Sequence, residues 1–159
     1  FLNAYPQSEH LSRWIAENGW NESQRIKSEA GLKGTKIHSA LERLVRGEQL
    51  DKIEYSDEEW IKIKSFCDWY AEYHPEVMAR EIQIFSKKNG YCGTLDFLYK
   101  LPTGEIVVHD DKSSNNYHEN YALQVSSYAA ALEEMTDLKI NQTAILMLGA
   151  SNKNGYRFS

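Results

Sequence analysis

Three acids and a lysine lie close together in a stretch that otherwise has the pattern of two β-strands joined by a turn. The stretch GYCGTLDFLYKLPTGEIVVHDDKSS covers residues 90–114, and the four residues are Asp96, Asp110, Asp111 and Lys112. Carboxylate oxygens are the ligands that hard divalent cations prefer, and a nearby lysine can orient an attacking water or stabilise a developing negative charge. On a solvated strand face the same residues would form ion pairs worth only about 0–1 kcal/mol. The placement of these side chains by the strands decides between the two interpretations.

The turn between the two strands determines which residues face one another. Pro102 is favoured at the second position of a type I turn and Gly104 at the fourth, and a left-handed Gly104 then gives a three-residue hairpin loop with a bulge. In that register Asp96 lies opposite Asp110. A loop of two or four residues would shift the register and oppose Asp96 to Asp111 instead. The turn residues favour the first register.

Two carboxylates in directly opposite positions repel each other and destabilise the strand pair. If they are partly buried, one must bind a proton or both must share a cation. Mg²⁺ is a natural partner because it prefers oxygen ligands. Lys112 lies two residues from Asp110 and diagonally beside Asp96, on the same face of the hairpin. The facing pair therefore makes the two interpretations, a metal site and a solvated strand face, equally well supported by the sequence.

Helical periodicity on both sides of the hairpin predicts the elements that must support it. The pattern covers residues 20–50, 56–77 and 118–136. We expect Asn21 to cap the first helix, Gly34 to break it in two and Gly47 to end it. Ser56 or Asp57 caps the second helix. Its apolar face consists of Trp60, Ile63, Phe66, Cys67 and Tyr70.

Alternating residues with turn signals between them predict strands in the remaining segments. Residues 79–114 have the pattern of three strands in an antiparallel meander, residues 143–150 that of another strand, and residues 155–159 begin a last one. The order of helices, three strands, helix and strand indicates an α/β fold, an α+β-like mixed sheet flanked by helices.

The composition indicates one globular domain over residues 1–159, although a chain that starts at Phe1 leaves room for a missing N-terminal segment. The net charge of −5 argues against a broad basic surface that coats nucleic acid, but acids gathered in a metal site would lower the total and still allow a local basic groove. Cys67 and Cys92 lack metal-ligand spacing and cannot supply the four thiolates of an iron–sulfur cluster. We expect free thiols in a reduced, intracellular (cytoplasmic) setting, and no membrane span.

Four short motifs in a fixed order resemble the PD-(D/E)XK nuclease superfamily, specifically its RecB-like exonuclease branch. They are GTLD ending at Asp96, DDK ending at Lys112, QVSSY from Gln124 to Tyr128, and KGTKIHSALE, which contains His38 and Glu42. Each motif alone is weak, but their joint order is fairly specific. The chain is most similar to the phage-type and mitochondrial-maintenance exonucleases of this branch.

The resemblance implies roles for these residues. Asp96 and Asp110 would bind Mg²⁺ or Mn²⁺, Lys112 would be the catalytic lysine, and His38 would be a further metal ligand. Glu42 would either hold His38 or face water. As weaker candidates, Glu81 would be a further acid near the site, and Gln124 and Tyr128 would steady the site or touch the nucleic-acid backbone. The alternatives are a solvated strand residue for Glu81 and ordinary helix core for Tyr128.

The resemblance also implies a fold and a function. The fold would be a restriction-endonuclease-like core forming a single nuclease domain. The function would be metal-dependent hydrolysis of DNA, single-stranded or at a duplex end, by an exonuclease. A nucleic-acid-binding module with little or no catalysis on the same fold is the alternative. Members of the branch often continue with further helices, so the sequence leaves open a compact member or one that lacks its C-terminal part.

Overall fold

A computed structural model describes residues 9–114, 116–149 and 155–159, which form four α-helices and five β-strands. The helices are α1 (Glu9–Asn18), α2 (Trp20–Val45), α3 (Asp57–Tyr73) and α4 (Glu119–Met135), with a short 3-10 helix at Lys52–Glu54. The strands are β1 (Glu76–Ser86), β2 (Tyr91–Lys100), β3 (Ile106–Lys112), β4 (Gln142–Leu148) and β5 (Tyr156–Phe158).

The five strands form one mixed sheet in the order β1-β2-β3-β4-β5. β1, β2 and β3 are successive antiparallel neighbours, which confirms the predicted meander. β4 runs parallel to β3, and the chain crosses between them through α4. β5 is antiparallel to β4. The fold is therefore α/β, and the strands predicted from residues 143–150 and 155–159 are present as β4 and β5.

The hairpin between β2 and β3 has the predicted register. Leu98 pairs with Val108, and the pairing continues on one side to Phe97 and His109. Gly104 is left-handed with a φ of 93°, and its N–H donates to the carbonyl of Leu101 over 2.8 Å, which closes the three-residue loop. The pairing ends at Phe97 and His109, and Asp96 and Asp110 are the next residue on each strand.

Each face of the sheet packs against a different set of helices. On one face, α2 and α3 contribute Leu41, Phe66 and Trp69 to a core that includes Phe97 and Val107. On the other face, α4 and the strands form a second core. Its members include Ile84, Leu95, Leu98, Val108, Val125, Leu132 and Ile145. Successive residues of β3 therefore point to opposite cores, as the pleat of a strand requires. This alternation separates Asp110 from its neighbour Asp111.

Two predictions for α2 are wrong. The helix runs through Gly34 without a break, because one glycine costs only about 1 kcal/mol relative to alanine and the burial of Ile37, Ala40 and Leu41 holds the next turns on the core. Asn21 is not the N-cap, since only Gly19 separates α1 from α2 and the helix begins at Trp20.

The predictions for α3 are partly confirmed. Ser56 is the N-cap and forms a capping box with Glu59, and the helix ends before His74, which is left-handed. The expected apolar face is shifted, because Trp69 is fully buried and Cys67 is exposed. Within the described ranges, no helix combines the length and the hydropathy that crossing a bilayer requires.

Candidate active site

Asp96 and Asp110 are buried side chains that converge from neighbouring strands. One oxygen of Asp96, Oδ2, accepts a hydrogen bond of 3.0 Å from the backbone N–H of Asp111. Burial, together with the charges of Asp110 and Asp111, raises the pKa of Asp96 to about 8. Burial also raises the pKa of Asp110, against the opposing effect of Lys112. Simultaneous ionisation of the two acids is therefore unfavourable, as we expect for two buried carboxylates close together.

Lys112 links this acid pair to helix α4. Its Nζ lies 2.5 Å from Asp110 Oδ2 in an ion pair and donates a 3.0 Å hydrogen bond to Gln124 Oε1. Asp110 Oδ2 accepts no well-directed hydrogen bond from the described residues, so this contact is chiefly electrostatic. Gln124 Nε2 in turn donates to the hydroxyl of Tyr128 over 2.8 Å. The structure thus brings the predicted residues Gln124 and Tyr128 into one polar chain with Lys112.

The position of Tyr128 depends on a glycine in β2. A Cβ atom added to Gly93 would lie 2.7 Å from Tyr128 Cε1, which is closer than non-bonded carbon atoms approach. Gly93 therefore allows the tyrosine ring to lie directly against the backbone of β2. The first residue of the GTLD motif has a packing role that supports the Gln124–Lys112 contact.

His38 and Glu81 approach Asp96 from two other elements. α2 places His38 Nδ1 3.5 Å from Asp96 Oδ2. β1 brings Glu81, and one ligand atom from each of His38, Glu81 and Asp96 lies within 4.8 Å of the others. The histidine predicted from the motif and one of the weaker candidates are thus assembled around the same aspartate.

Glu81 reaches the site through an irregularity in β1. Its neighbours Arg80 and Ile82 pack on opposite faces of the sheet, although residues two apart in a regular strand share a face. Glu81 itself has a φ of 50°, a left-handed conformation that is uncommon outside glycine and often occurs at functional sites. The sequence alone gives no signal for this break.

Glu42 does not hold His38, which is one of the two roles that the sequence suggests for it. Its Oε1 lies 2.5 Å from the guanidinium of Arg46, one turn further along α2. Among the described residues, no hydrogen bond or ion pair joins Glu42 to His38. Glu42 therefore contributes to the surface of α2 and stands apart from the acid pair.

Asp111 points to the opposite face, as the register predicts, and forms a buried polar network there. Its carboxylate contacts His109 Nε2 at 2.9 Å and Arg80 at 3.5 Å. Burial alone would raise the pKa of Asp111, but its hydrogen bond and electrostatic interaction with His109, together with the interactions with His38 and Arg80, outweigh burial and lower the pKa. This network, which the motif analysis does not include, anchors the segment of β3 whose N–H holds Asp96.

No protein-family model matches the chain, and no curated protein sequence matches it significantly. The resemblance to the nuclease superfamily is therefore carried by the motifs. The described residues form an acidic site in which His38 lies near Asp96, and Lys112 is held between Asp110 and Gln124. Chemically, such a site suits binding of a divalent cation and stabilisation of charge on a phosphate.

Proposed function

We propose that this protein is a divalent-metal-dependent nuclease that hydrolyses DNA phosphodiester bonds as an exonuclease, on a restriction-endonuclease-like core. The observation that carries the proposal is the pair of buried acids Asp96 and Asp110 on neighbouring strands, with Lys112 at 2.5 Å from Asp110. Buried acids with raised pKa values are costly to a fold, and such groups are concentrated at functional sites. The motif residues also lie on the elements that the resemblance implies, with Asp96 and Asp110 on successive strands and Gln124 on the helix that follows.

Asp96 and Asp110 would hold a Mg²⁺ or Mn²⁺ ion, with His38 and Glu81 completing the ligand set on the side of Asp96. The fit rests on the acids themselves, because a shared cation allows both carboxylates to ionise in a buried setting. The nitrogen of His38 among oxygen ligands suits Mn²⁺ better than Mg²⁺. When bound, the ion would act as a Lewis acid toward the scissile phosphate.

Lys112 would act directly on the reacting groups. Its ammonium is fixed by Asp110 and by Gln124, so it is oriented before any substrate arrives. From that position it would orient the attacking water and stabilise the negative charge that develops on the phosphate oxygens. Tyr128 would act indirectly, because its hydroxyl accepts a hydrogen bond from Gln124, which in turn binds Lys112.

The test is a cleavage assay on single- and double-stranded DNA labelled at the 5′ or the 3′ end, with Mg²⁺, Mn²⁺ or a chelator. We expect metal-dependent release of short products from one labelled end and no release with chelator. Asp110→Asn should be inactive. Asp68→Asn is the matched control, because it removes an exposed acid on α3 that pairs with Lys64.

Two results would contradict the proposal. Metal-independent cleavage that persists in Asp110→Asn would assign the activity to a contaminant. Binding of DNA without cleavage at any metal concentration would favour the alternative, a nucleic-acid-binding module on the same fold.

A further inference from the structure

Three aromatic rings cluster beside Lys112, in the segment that leads from β3 into α4. The ring of Tyr121 lies 4.6 Å from Lys112 Nζ. Tyr117 meets Tyr121 edge to face, with centroids 6.0 Å apart, and His118 does so at 5.2 Å. The rings therefore begin at the catalytic lysine of the proposed site and extend away from it toward solvent.

Tyr121 and Tyr117 differ in what surrounds them. Tyr121 is held by Lys112 over its ring and by a 2.9 Å hydrogen bond between its hydroxyl and Ser114 Oγ. Tyr117 is 41% exposed and belongs to neither hydrophobic core. Single exposed aromatic rings are common on protein surfaces, so what sets Tyr117 apart is its position next to Tyr121 and the proposed site.

A cation accompanies the exposed ring. The guanidinium of Arg157, on β5, lies 5.8 Å from the centroid of Tyr117. Arg157 is exposed and forms no ion pair with any residue in the described ranges. A guanidinium over an exposed tyrosine ring provides a phosphate contact next to an aromatic surface, despite the net charge of −5 for the whole chain.

This combination fits unpaired nucleotides better than a duplex. Proteins that bind single strands stack bases on exposed aromatic rings and pair the backbone with nearby cations. Within a duplex the faces of the bases are covered by their neighbours and only the edges are accessible in the grooves. Within a strand, the ring of Tyr117 can therefore stack on a base only where that strand is unpaired. The one other exposed base face is that of the last pair at a duplex end, which a blunt duplex tests.

We propose that Tyr117, supported by Tyr121 and Arg157, is a stacking platform for an unpaired base beside the scissile phosphate, and that the substrate is single-stranded DNA. The proposal rests on the proposed nuclease function for the reaction, but the platform itself is a binding surface. It can be tested without cleavage, which makes failure of the two proposals distinguishable.

The test measures binding of short oligo(dT), labelled with fluorescein at its 3′ end, by anisotropy in EDTA. Tyr117→Ala should weaken binding about 5- to 100-fold, since one base–aromatic stack is lost. Tyr117→Trp should bind as tightly as the parent. The matched control is Phe85→Ala, which removes an equally exposed ring with a lysine 5.8 Å from its centroid, four residues beyond Glu81 on β1.

An abasic residue scanned along the oligonucleotide identifies stacking directly. At one position the abasic strand should bind the parent more weakly, and at that position Tyr117→Ala should cause no further loss, because the two changes remove the same contact. Additive losses at every position would overturn the platform. So would unchanged binding by Tyr117→Ala, or a blunt duplex that binds more tightly than the single strand.

Two further outcomes separate the proposals. Oligo(U) bound more tightly than oligo(dT) would overturn the assignment to DNA. If Tyr117→Ala loses affinity but the parent cleaves nothing with Mg²⁺ or Mn²⁺, the platform is supported and the nuclease proposal fails. If the parent cleaves DNA and Tyr117→Ala binds and cleaves as the parent does, only the platform fails.

Discussion

At the scale of single residues, Lys112 is the group that can separate catalysis from metal binding. It contacts Asp110 and Gln124, and its ammonium offers no lone pair to a metal ion. In Lys112→Ala, single-turnover cleavage of labelled DNA should fall by roughly 10²–10³, as for the loss of one pre-organised electrostatic group. Binding of Mn²⁺ by titration calorimetry should be unchanged or tighter, because a nearby positive charge is gone.

The control for Lys112→Ala is Lys100→Ala, which removes an exposed lysine at the far end of β2. It should leave both measurements unchanged. A Lys112→Ala protein that cleaves at nearly the parental rate would remove this lysine from the mechanism. One that also loses Mn²⁺ would give the lysine a structural role in the site.

Neighbouring aspartates on β3 should respond oppositely to neutralisation. Asp110 has a raised pKa, so Asp110→Asn should leave the metal-free protein as stable as the parent or more stable at pH 8. Asp111 has a lowered pKa and contacts Arg80, whose side chain is 7% exposed. Asp111→Asn should therefore destabilise the fold by about 3–5 kcal/mol, the cost of leaving a buried charge without its partner.

Urea unfolding in EDTA measures both changes. Equal destabilisation by the two variants would mean that Asp110 is held in its ionised form by Lys112 and that the facing acids are not under strain. The comparison is well matched, because the two residues are adjacent, buried and changed in the same way.

At the scale of elements, local chemistry explains what the sequence could predict. The hairpin register follows from Pro102 and Gly104, and the start of α3 follows from Ser56 and Glu59, because each signal acts within a few residues. His38 was placed by its motif. These features require no knowledge of distant contacts.

The elements that the sequence could not place depend on tertiary packing. Gly34 does not break α2 because later turns of the helix are held by the core. The proximity of Glu81 to Asp96 follows from an irregularity in β1 that has no residue signature. The network of Arg80, His109 and Asp111 joins residues on two strands that are not adjacent in the sheet. In each case the deciding contact is remote in sequence.

The contact between β2 and α4 makes a prediction at this scale. Gly93→Ala would place a methyl group against the ring of Tyr128, which is also held by Gln124. The ring must move, so we expect destabilisation of about 1–3 kcal/mol and slower cleavage, because Gln124 loses its partner and holds Lys112 less firmly. Urea unfolding and single-turnover cleavage measure the two effects.

Gly31→Ala is the control for this substitution. A Cβ at Gly31 meets no atom within 4 Å, and the residue lies inside α2. This change should stabilise the protein by up to about 1 kcal/mol, because alanine favours helix over glycine. If Gly93→Ala unfolds at the same urea concentration as the parent, the close packing of Tyr128 is not a constraint on the site.

At the scale of the whole molecule, the central sheet separates two kinds of buried charge. The face toward α2 and α3 holds Asp111 with Arg80 and His109, so its charge is compensated within the protein. At the site, Asp96 and Asp110 share a single lysine and have raised pKa values. The fold thus leaves this buried acid pair only partly compensated, on the side of the sheet where Lys112 also contacts Tyr121. A negative net charge is compatible with a nucleic-acid ligand when the acids are gathered in this way.

This separation fixes how metal-free stability depends on pH. The pKa of Asp96 is about 8 in the folded protein, against an ordinary value of 3.8. Between these values the folded state binds one more proton than the unfolded state, so the free energy of unfolding falls as pH rises. Asp110 acts in the same direction. Asp111, with a lowered pKa, acts in the opposite direction, but only in acid below about pH 4.

We therefore expect the melting temperature in EDTA to decline from about pH 5 to about pH 9, and Asp96→Asn to flatten most of that decline, since it removes the group that titrates. Added Mn²⁺ should raise the melting temperature of the parent more at pH 8 than at pH 6, because the ion competes with the proton for the same carboxylates. Thermal melts over this range, with and without Mn²⁺, measure both effects. A melting temperature in EDTA that rises with pH across the window would contradict the raised pKa of Asp96. A Mn²⁺ effect that is equal at both pH values, or that persists in Asp96→Asn, would place the ion elsewhere on the protein.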